Sequence, residues 1–375
     1  MSGGTPDQRI VVAMIDGFGT DYFAAQPLPN LRHMARSGLE REVKAIMPTV
    51  TNVNNVSISC SALPSEHGLT GNSYYNEGTG EADYMESADF LLRPTISQRA
   101  ARHGVKSALL TCKKKSVNLL ARGAEIAIAA ESPPAQYVER FGKAPDIYSR
   151  EINYWLWQVA VDMLETRPDI GVVYVHTTDY PMHMWAPDRA ESQEHLARLD
   201  LLMGRAAEVA PDAAFFVTAD HGMNYKTRCW DIDKALGARG ARVKFALSAE
   251  KDRYVKHHRT FGGTAYVWLN SPADAQEVKE RILRLEGIEA VRTRAEAARD
   301  FQLMPERIGE LVVTGDRETV FGELTGDYEA LEASYRSHGS LHESDVPLIV
   351  YNWNGRLPGK EAFSRNADLL HFLLR

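Results

Sequence analysis

Three apolar runs, each leading to an acid, constrain this chain more than any other feature. Ile10-Val11-Val12-Ala13-Met14-Ile15 ends in Asp16-Gly17-Phe18-Gly19. Gly171-Val172-Val173-Tyr174-Val175-His176 runs into Thr177-Thr178-Asp179, and Ala213-Ala214-Phe215-Phe216-Val217-Thr218-Ala219 into Asp220-His221-Gly222-Met223. Apolar runs without alternation fit strands buried on both faces, as in a parallel sheet. An acid just past such a strand marks the carboxyl edge, where open α/β sheets keep their sites. Helical patterns near 95–102, 148–165 and 192–209 alternate with these runs and with a further strand at 107–111. The order predicts an α/β fold with a mostly parallel central sheet flanked by helices.

The stretch 224–331 has a different texture. It holds the basic loop Arg253-Tyr254-Val255-Lys256-His257-His258-Arg259, strands at 264–269 and 310–314, and a charged helix near 272–285. It is expected to be an inserted, smaller α+β cap domain, with 1–223 and 332–375 forming the main domain. His257 and His258 read as part of a solvated basic turn. A last sheet strand is expected at 346–351 and a closing helix at 362–374.

A formal net charge of -7 argues against a general nucleic-acid surface. Cys60, Cys112 and Cys229 are too few and too scattered for a disulfide framework. No apolar run reaches the length of a membrane span, and residues 1–6 lack a secretory pattern. A cytoplasmic protein with no nucleic-acid or membrane partner is therefore expected, and a homodimer is left open.

The acids do not stand alone. His183 follows Asp179 by four residues, His221 adjoins Asp220, and His338 precedes Gly339 before the last strand. Aspartates and histidines without cysteine suit zinc first, with manganese or iron as rivals. Six such ligands suit a two-metal site, which stabilises both the attacking and the leaving atom in phosphoryl displacement. The segment Pro48-Thr49-Val50-Thr51-Asn52-Val53-Asn54-Asn55 adds hydroxyls and amides, residue types that favour loops and helix starts. A threonine at a helix start sits beside free N–H donors and the positive dipole end. Its hydroxyl becomes a nucleophile at neutral pH when a metal lowers its pKa. Thr51 is the preferred candidate and Thr49 its local competitor.

In this order (Asp16, Thr51, Asn72, Asp179-x-x-x-His183, Asp220-His221, His338-Gly339) the chain resembles the alkaline phosphatase superfamily, in its nucleotide pyrophosphatase/phosphodiesterase-like branch. Met47-Pro48-Thr49-Val50-Thr51-Asn52-Val53-Asn54-Asn55, Thr111-Cys112-Lys113-Lys114-Lys115 and Arg336-Ser337-His338-Gly339 make it most similar, within that branch, to the phosphonoacetate hydrolases. The resemblance implies an alkaline phosphatase-like fold. It also implies one zinc held by Asp179, His183 and His338, and a second held by Asp16, Asp220, His221 and Thr51. Asn72 would hold a phosphonyl oxygen. Lys113 and Lys115, on one face of an extended segment, would take the substrate carboxylate. The family pattern has an acid between these lysines where this chain has Lys114. His342 is an alternative to His338, and the glycine after His338 favours the latter.

The implied reaction cleaves the P–C bond of phosphonoacetate to acetate and phosphate through a phosphothreonine on Thr51. A P–O phosphodiesterase or phosphomonoesterase of the same site is the first rival. A phosphomutase, or a non-catalytic phosphate binder, is the second.

Overall fold

The computed structural model describes residues 8–374. Residues 1–6, expected to lack a secretory pattern, lie outside them. A seven-stranded sheet forms the centre, in the spatial order Leu39–Lys44, Asp345–Tyr351, Ala214–Thr218, Ile10–Met14, Ile170–His176, Lys106–Thr111 and Ile126–Ala129. The last five run parallel to one another. Asp345–Tyr351 pairs antiparallel on both sides. The apolar runs lie where their composition requires: Ile10–Met14 and Ala214–Thr218 are buried throughout. Helices Glu151–Thr166 and Ala190–Val209 pack against each other beside the sheet.

Register decides where the acids go. Met14 stands opposite both His176 and Thr218. Asp16, Thr177-Thr178-Asp179 and Asp220 therefore leave one edge of the sheet at one height.

One expectation about secondary structure fails and one strand is new. The closing helix at 362–374 is absent, and short 3-10 turns at Lys360–Ala362 and Asn366–Leu370 stand in its place. Side chains there compete for the backbone. Asp368 accepts from the N–H groups of Ser364 and Arg365, both at 2.8 Å, and Asn366 is drawn inward to Asn54 at 2.9 Å. The edge strand Leu39–Lys44 was not foreseen, because its alternating polar sequence lacks the apolar run that marks the others.

Within 224–331, Phe245–Ser248, Thr264–Trp268, Leu311–Gly315 and Ile288–Thr293 make a four-stranded antiparallel sheet. It has its own apolar core, including Leu236, Val267, Ile282 and Val313. The connection between its first two strands passes over the carboxyl edge of the main sheet, where Asp252 meets Lys115.

A buried ion pair fixes the loop that carries His338. Lys226 Nζ donates to Glu343 Oε1 at 2.7 Å, and both side chains are fully buried. Glu343 Oε2 accepts from the Ser340 N–H at 2.9 Å and its hydroxyl at 2.7 Å. Burial works to raise the Glu343 carboxyl, but Lys226 outweighs it and brings the pKa down to about 2. The folded value lies below the ordinary one of 4.5, so its contribution to stability is complete above that pH and is lost as pH falls toward 2. Lys226→Met, which strands the buried carboxylate, is expected to cost about 3–5 kcal/mol in urea unfolding at neutral pH. The deficit relative to the parent should shrink as the pH is lowered through that window.

Candidate active site

The helix Thr51–Cys60 is buried along its whole length, including Asn52, Asn54 and Asn55. Each asparagine side chain finds a fixed partner, so the segment folds as a helix rather than a loop. Asn54 brackets Ile46, accepting from its N–H at 2.7 Å and donating to its carbonyl at 2.9 Å. Asn55 bonds His176 and Tyr174. Thr51 is the first helical residue, with its Oγ1 3.4 Å from His221 Nε2. The Asn52 N–H donates to Asn72 Oδ1 at 3.1 Å, bringing Asn72 to the same helix end. Thr49 is committed elsewhere: its hydroxyl donates to the Ser340 carbonyl at 2.7 Å.

All three strand-end aspartates converge on this helix end. His221 Nε2 lies 3.6 Å from Asp16 Oδ1 and 3.4 Å from Asp220 Oδ2. Asp179 Oδ2 lies 2.9 Å from His183 Nε2 and 3.7 Å from His338 Nε2. The His221 and His338 rings stack with centroids 3.5 Å apart. His342, the alternative, lies apart from this centre and pairs with Glu289 at 3.3 Å.

The histidines are oriented alike. Nδ1 of His183, His221 and His338 sits 2.8, 2.9 and 2.8 Å from the carbonyls of Arg336, Gly222 and Thr49. A carbonyl only accepts, so each Nδ1 carries the hydrogen and each Nε2 lone pair is left for the centre.

The cluster crowds buried carboxylates and imidazoles into one small volume. Burial, then the neighbouring Asp16, pushes Asp220 well above the carboxylate range. Burial also works to raise Asp16 and Asp179, but Lys113 and adjacent histidines outweigh it and hold both below that range. Burial opposes charge on His338, yet Glu250 and Asp179 lift it to about 9. Among the described residues, Asp16 Oδ1, Asp220 Oδ2 and His338 Nε2 are buried without a hydrogen-bond partner. Asp16, Asp220 and His221 can bring ligand atoms within 4.8 Å of one another, as can Asp179, His221 and His338, and Asp179, His183 and His257. This oxygen and nitrogen donor set fits a metal cofactor, which would take up the unmatched lone pairs and displace the proton on His338.

Lys113 and Lys115 are both buried, at 2% and 4% exposure, while Lys114 is exposed. They do not share an extended segment as expected. Lys113 ends the extended backbone as a helix N-cap, and the helix Lys114–Leu120 starts directly after it. The first helical turn still leaves Lys115 on the inner side. Lys113 Nζ lies 3.0 Å from Asp179 and 3.6 Å from Asp16. Lys115 pairs with Asp252, and the Tyr254 ring lies 5.6 and 5.5 Å from the two ammonium groups.

His257 and His258 are not a solvated turn. They are 5% and 1% exposed and pack on His183, with His257 Nε2 3.6 Å from Asp179. Tyr148 and Tyr180 enclose His257, and burial lowers its pKa to about 4, so it is neutral there. Sequence reasoning also missed His176, whose Nε2 lies 3.3 Å from Asp16, and Glu250, which accepts from Asn72 Nδ2 at 3.1 Å. His176 is the polar end of an apolar strand, and Glu250 and Asp252 lie just past the strand Phe245–Ser248. Strand-end acids would have flagged the latter pair too.

The sequence model of the type I phosphodiesterase/nucleotide pyrophosphatase family matches residues 10–341, most of the chain and every aspartate and histidine of the centre. The chain belongs to this family. Phosphonoacetate hydrolase from Sinorhizobium meliloti 1021, solved with phosphonoformate, superposes with a TM-score of 0.88 at 28% identity, over 99% of this chain and 96% of that one. Its complex with phosphonoacetate gives 0.87 at 27%. Bis(5'-adenosyl)-triphosphatase enpp4 of Mus musculus is 23% identical over 240 residues, 61% of this chain and 50% of the relative. The chain spans half or less of the length of the first curated relatives it matches. Alkaline phosphatase PafA shares the fold, at a TM-score of 0.69 and 14% identity over 97% of this chain and 95% of that one. The expected alkaline phosphatase-like α/β architecture thus holds for this family member. Among its described residues, no helix is long and apolar enough to cross a membrane.

Proposed function

We propose that this family member is a two-zinc hydrolase that cleaves the P–C bond of phosphonoacetate to acetate and phosphate. The observation that carries the reading is the pair Lys113 and Lys115, two buried ammonium groups beside an Asp/His cluster and a helix-start threonine. A phosphate ester needs no second cationic pocket, whereas a phosphonate with a carboxylate at its other end does. The likeness to phosphonoacetate hydrolase over nearly the full length of both chains supports the same substrate class.

In this reading Asp179, His183 and His338 would hold one ion, and Asp16, Asp220, His221 and the Thr51 oxygen the other. Such ions would supply Lewis-acid stabilisation of charge on oxygen and a lowered pKa at the threonine hydroxyl. Thr51 Oγ1 gives its proton to solvent and attacks phosphorus, and the phosphonyl oxygens are met by Asn72 and by the N-terminal dipole of the Thr51–Cys60 helix. The P–C electron pair leaves with the methylene carbon and spreads into the carboxylate, which Lys113 and Lys115 stabilise in a partly dry pocket. Protonation of that carbon from water gives acetate. Water then attacks the phosphothreonine, freeing phosphate and restoring Thr51.

Converting Lys113 and Lys115 to alanine is expected to cost on the order of 3 kcal/mol of barrier per lost contact with phosphonoacetate. An aryl phosphate ester should be affected far less, and equal losses on both substrates would remove the carboxylate role. Phosphate assays with phosphonoacetate and with nucleotide and simple esters test the whole reading. The family match and the triphosphatase relative support a second one, P–O ester hydrolysis at the same centre, and release only from esters would select it. A mutase would instead yield an isomer without free phosphate.

A further inference from the structure

One short stretch of the inserted segment brings two carboxylates to the centre that have no part in the reaction above. Glu250 Oε1 accepts from Asn72 Nδ2 at 3.1 Å, and Asp252 Oδ2 takes the Lys115 ammonium. Both acids are buried, at 2% and 3% exposure. Asn72 and Lys115 are the groups that the proposed function gives to the phosphonyl and carboxylate ends of the substrate. The two acids therefore hold, from one piece of backbone, the two anion-binding groups of one small ligand.

The held state is incompletely satisfied. Glu250 Oε2 is buried with no hydrogen-bond partner among the described residues and has only His338 Nδ1 at 3.7 Å facing it, weaker than the hydrogen bonds water would give. The way out lies on the same side. A cavity of about 450 Å³ is lined by Lys115, Tyr254, Arg253, Glu131, Lys114 and Glu86. Tyr254, whose N–H donates to Asp252 Oδ1 at 3.0 Å, lies over both buried lysines beside it. Movement of Asp252 and Tyr254 together would free the Lys115 ammonium, whose side chain already borders that cavity.

We propose that Glu250 and Asp252 act as a built-in mimic of the substrate, filling Asn72 and Lys115 until a small carboxylated phosphonate displaces both. This rests on the functional reading above. It makes Asp252 a specificity-determining residue. A ligand with both anions replaces both contacts, whereas one with a phosphoryl group alone leaves Asp252 on Lys115 and the segment half held.

Hydrogen–deuterium exchange on the metal-loaded protein, with phosphonoformate as the probe, reads the displacement. Binding is expected to speed exchange of the amides of 250–259 while raising the melting temperature. Slower or unchanged exchange there, alongside the same thermal shift, would make the segment a closing lid or a fixed wall and overturn the mimic. Asp252→Asn removes the competitor and should lower the phosphonoformate dissociation constant about tenfold, with less than about a twofold change for phenyl phosphate. Weaker binding of phosphonoformate would instead assign Asp252 to holding Lys115 in position, against the proposal. Asp252→Glu, which keeps the charge, should bind no more tightly than the parent. A parent protein that shows no thermal shift with phosphonoformate would overturn the functional reading itself, a failure distinct from that of the mimic.

Discussion

Thr51→Ala is expected to reduce turnover by on the order of 10⁴-fold or more while leaving the fold and the bound metal in place. The Thr51 hydroxyl, its Oγ1 3.4 Å from His221 Nε2, is the one at the head of the buried helix and within the Asp/His cluster. The neighbouring Thr49 donates its hydroxyl hydrogen to the Ser340 carbonyl and accepts from the Gly339 N–H at 3.1 Å, so its proton and one of its two lone pairs are committed to the loop that carries His338. Removing one oxygen at Thr51 deletes the nucleophile and one of several metal contacts, so metal should persist. Metal analysis, a thermal melt and single-turnover phosphate release separate these effects. Undiminished turnover in Thr51→Ala would transfer the attack to water.

Chelation should abolish activity and lower stability together. Three aspartates share one buried edge, and Asp220 is already forced toward its neutral form by burial and by Asp16. A divalent ion relieves that conflict in the folded state and finds no comparable site in the unfolded chain. At metal concentrations 100-fold above the dissociation constant, each ion adds about 2.7 kcal/mol of stability. Melting curves with and without chelator should differ accordingly, and zinc should restore both the melting temperature and turnover. Retained activity in exhaustively chelated protein would remove the metal from the account.

Much of the main sheet was legible because its strands carry their own signal. Ile10–Met14, Ile170–His176 and Ala214–Thr218 are apolar throughout or nearly so, and the acids that follow fall at one edge by register alone. Leu39–Lys44 alternates like any surface strand and gave no such sign. The inserted segment was opaque for a different reason. Arg253, Lys256, His257 and His258 have the composition of a solvated turn, yet both histidines are buried on His183. Their burial depends on how two sheets pack, which local composition does not encode. The lysines fall between these cases. A run of three lysines has the composition of a solvated cluster, and only the family resemblance implied that Lys113 and Lys115 point inward; the helix that begins at Lys114 stands where that resemblance implied extended backbone. The C-terminal turns were decided by Asp368 and Asn366 bonding the backbone, a competition that apolar spacing does not report.

Following acetate and phosphate together when zinc-loaded protein meets phosphonoacetate distinguishes P–C cleavage from ester hydrolysis in one measurement. A two-zinc phosphonoacetate hydrolase releases equimolar acetate and phosphate and carries two zinc ions per chain. Phosphate released from P–O esters, with phosphonoacetate left intact under the same conditions, would contradict that assignment.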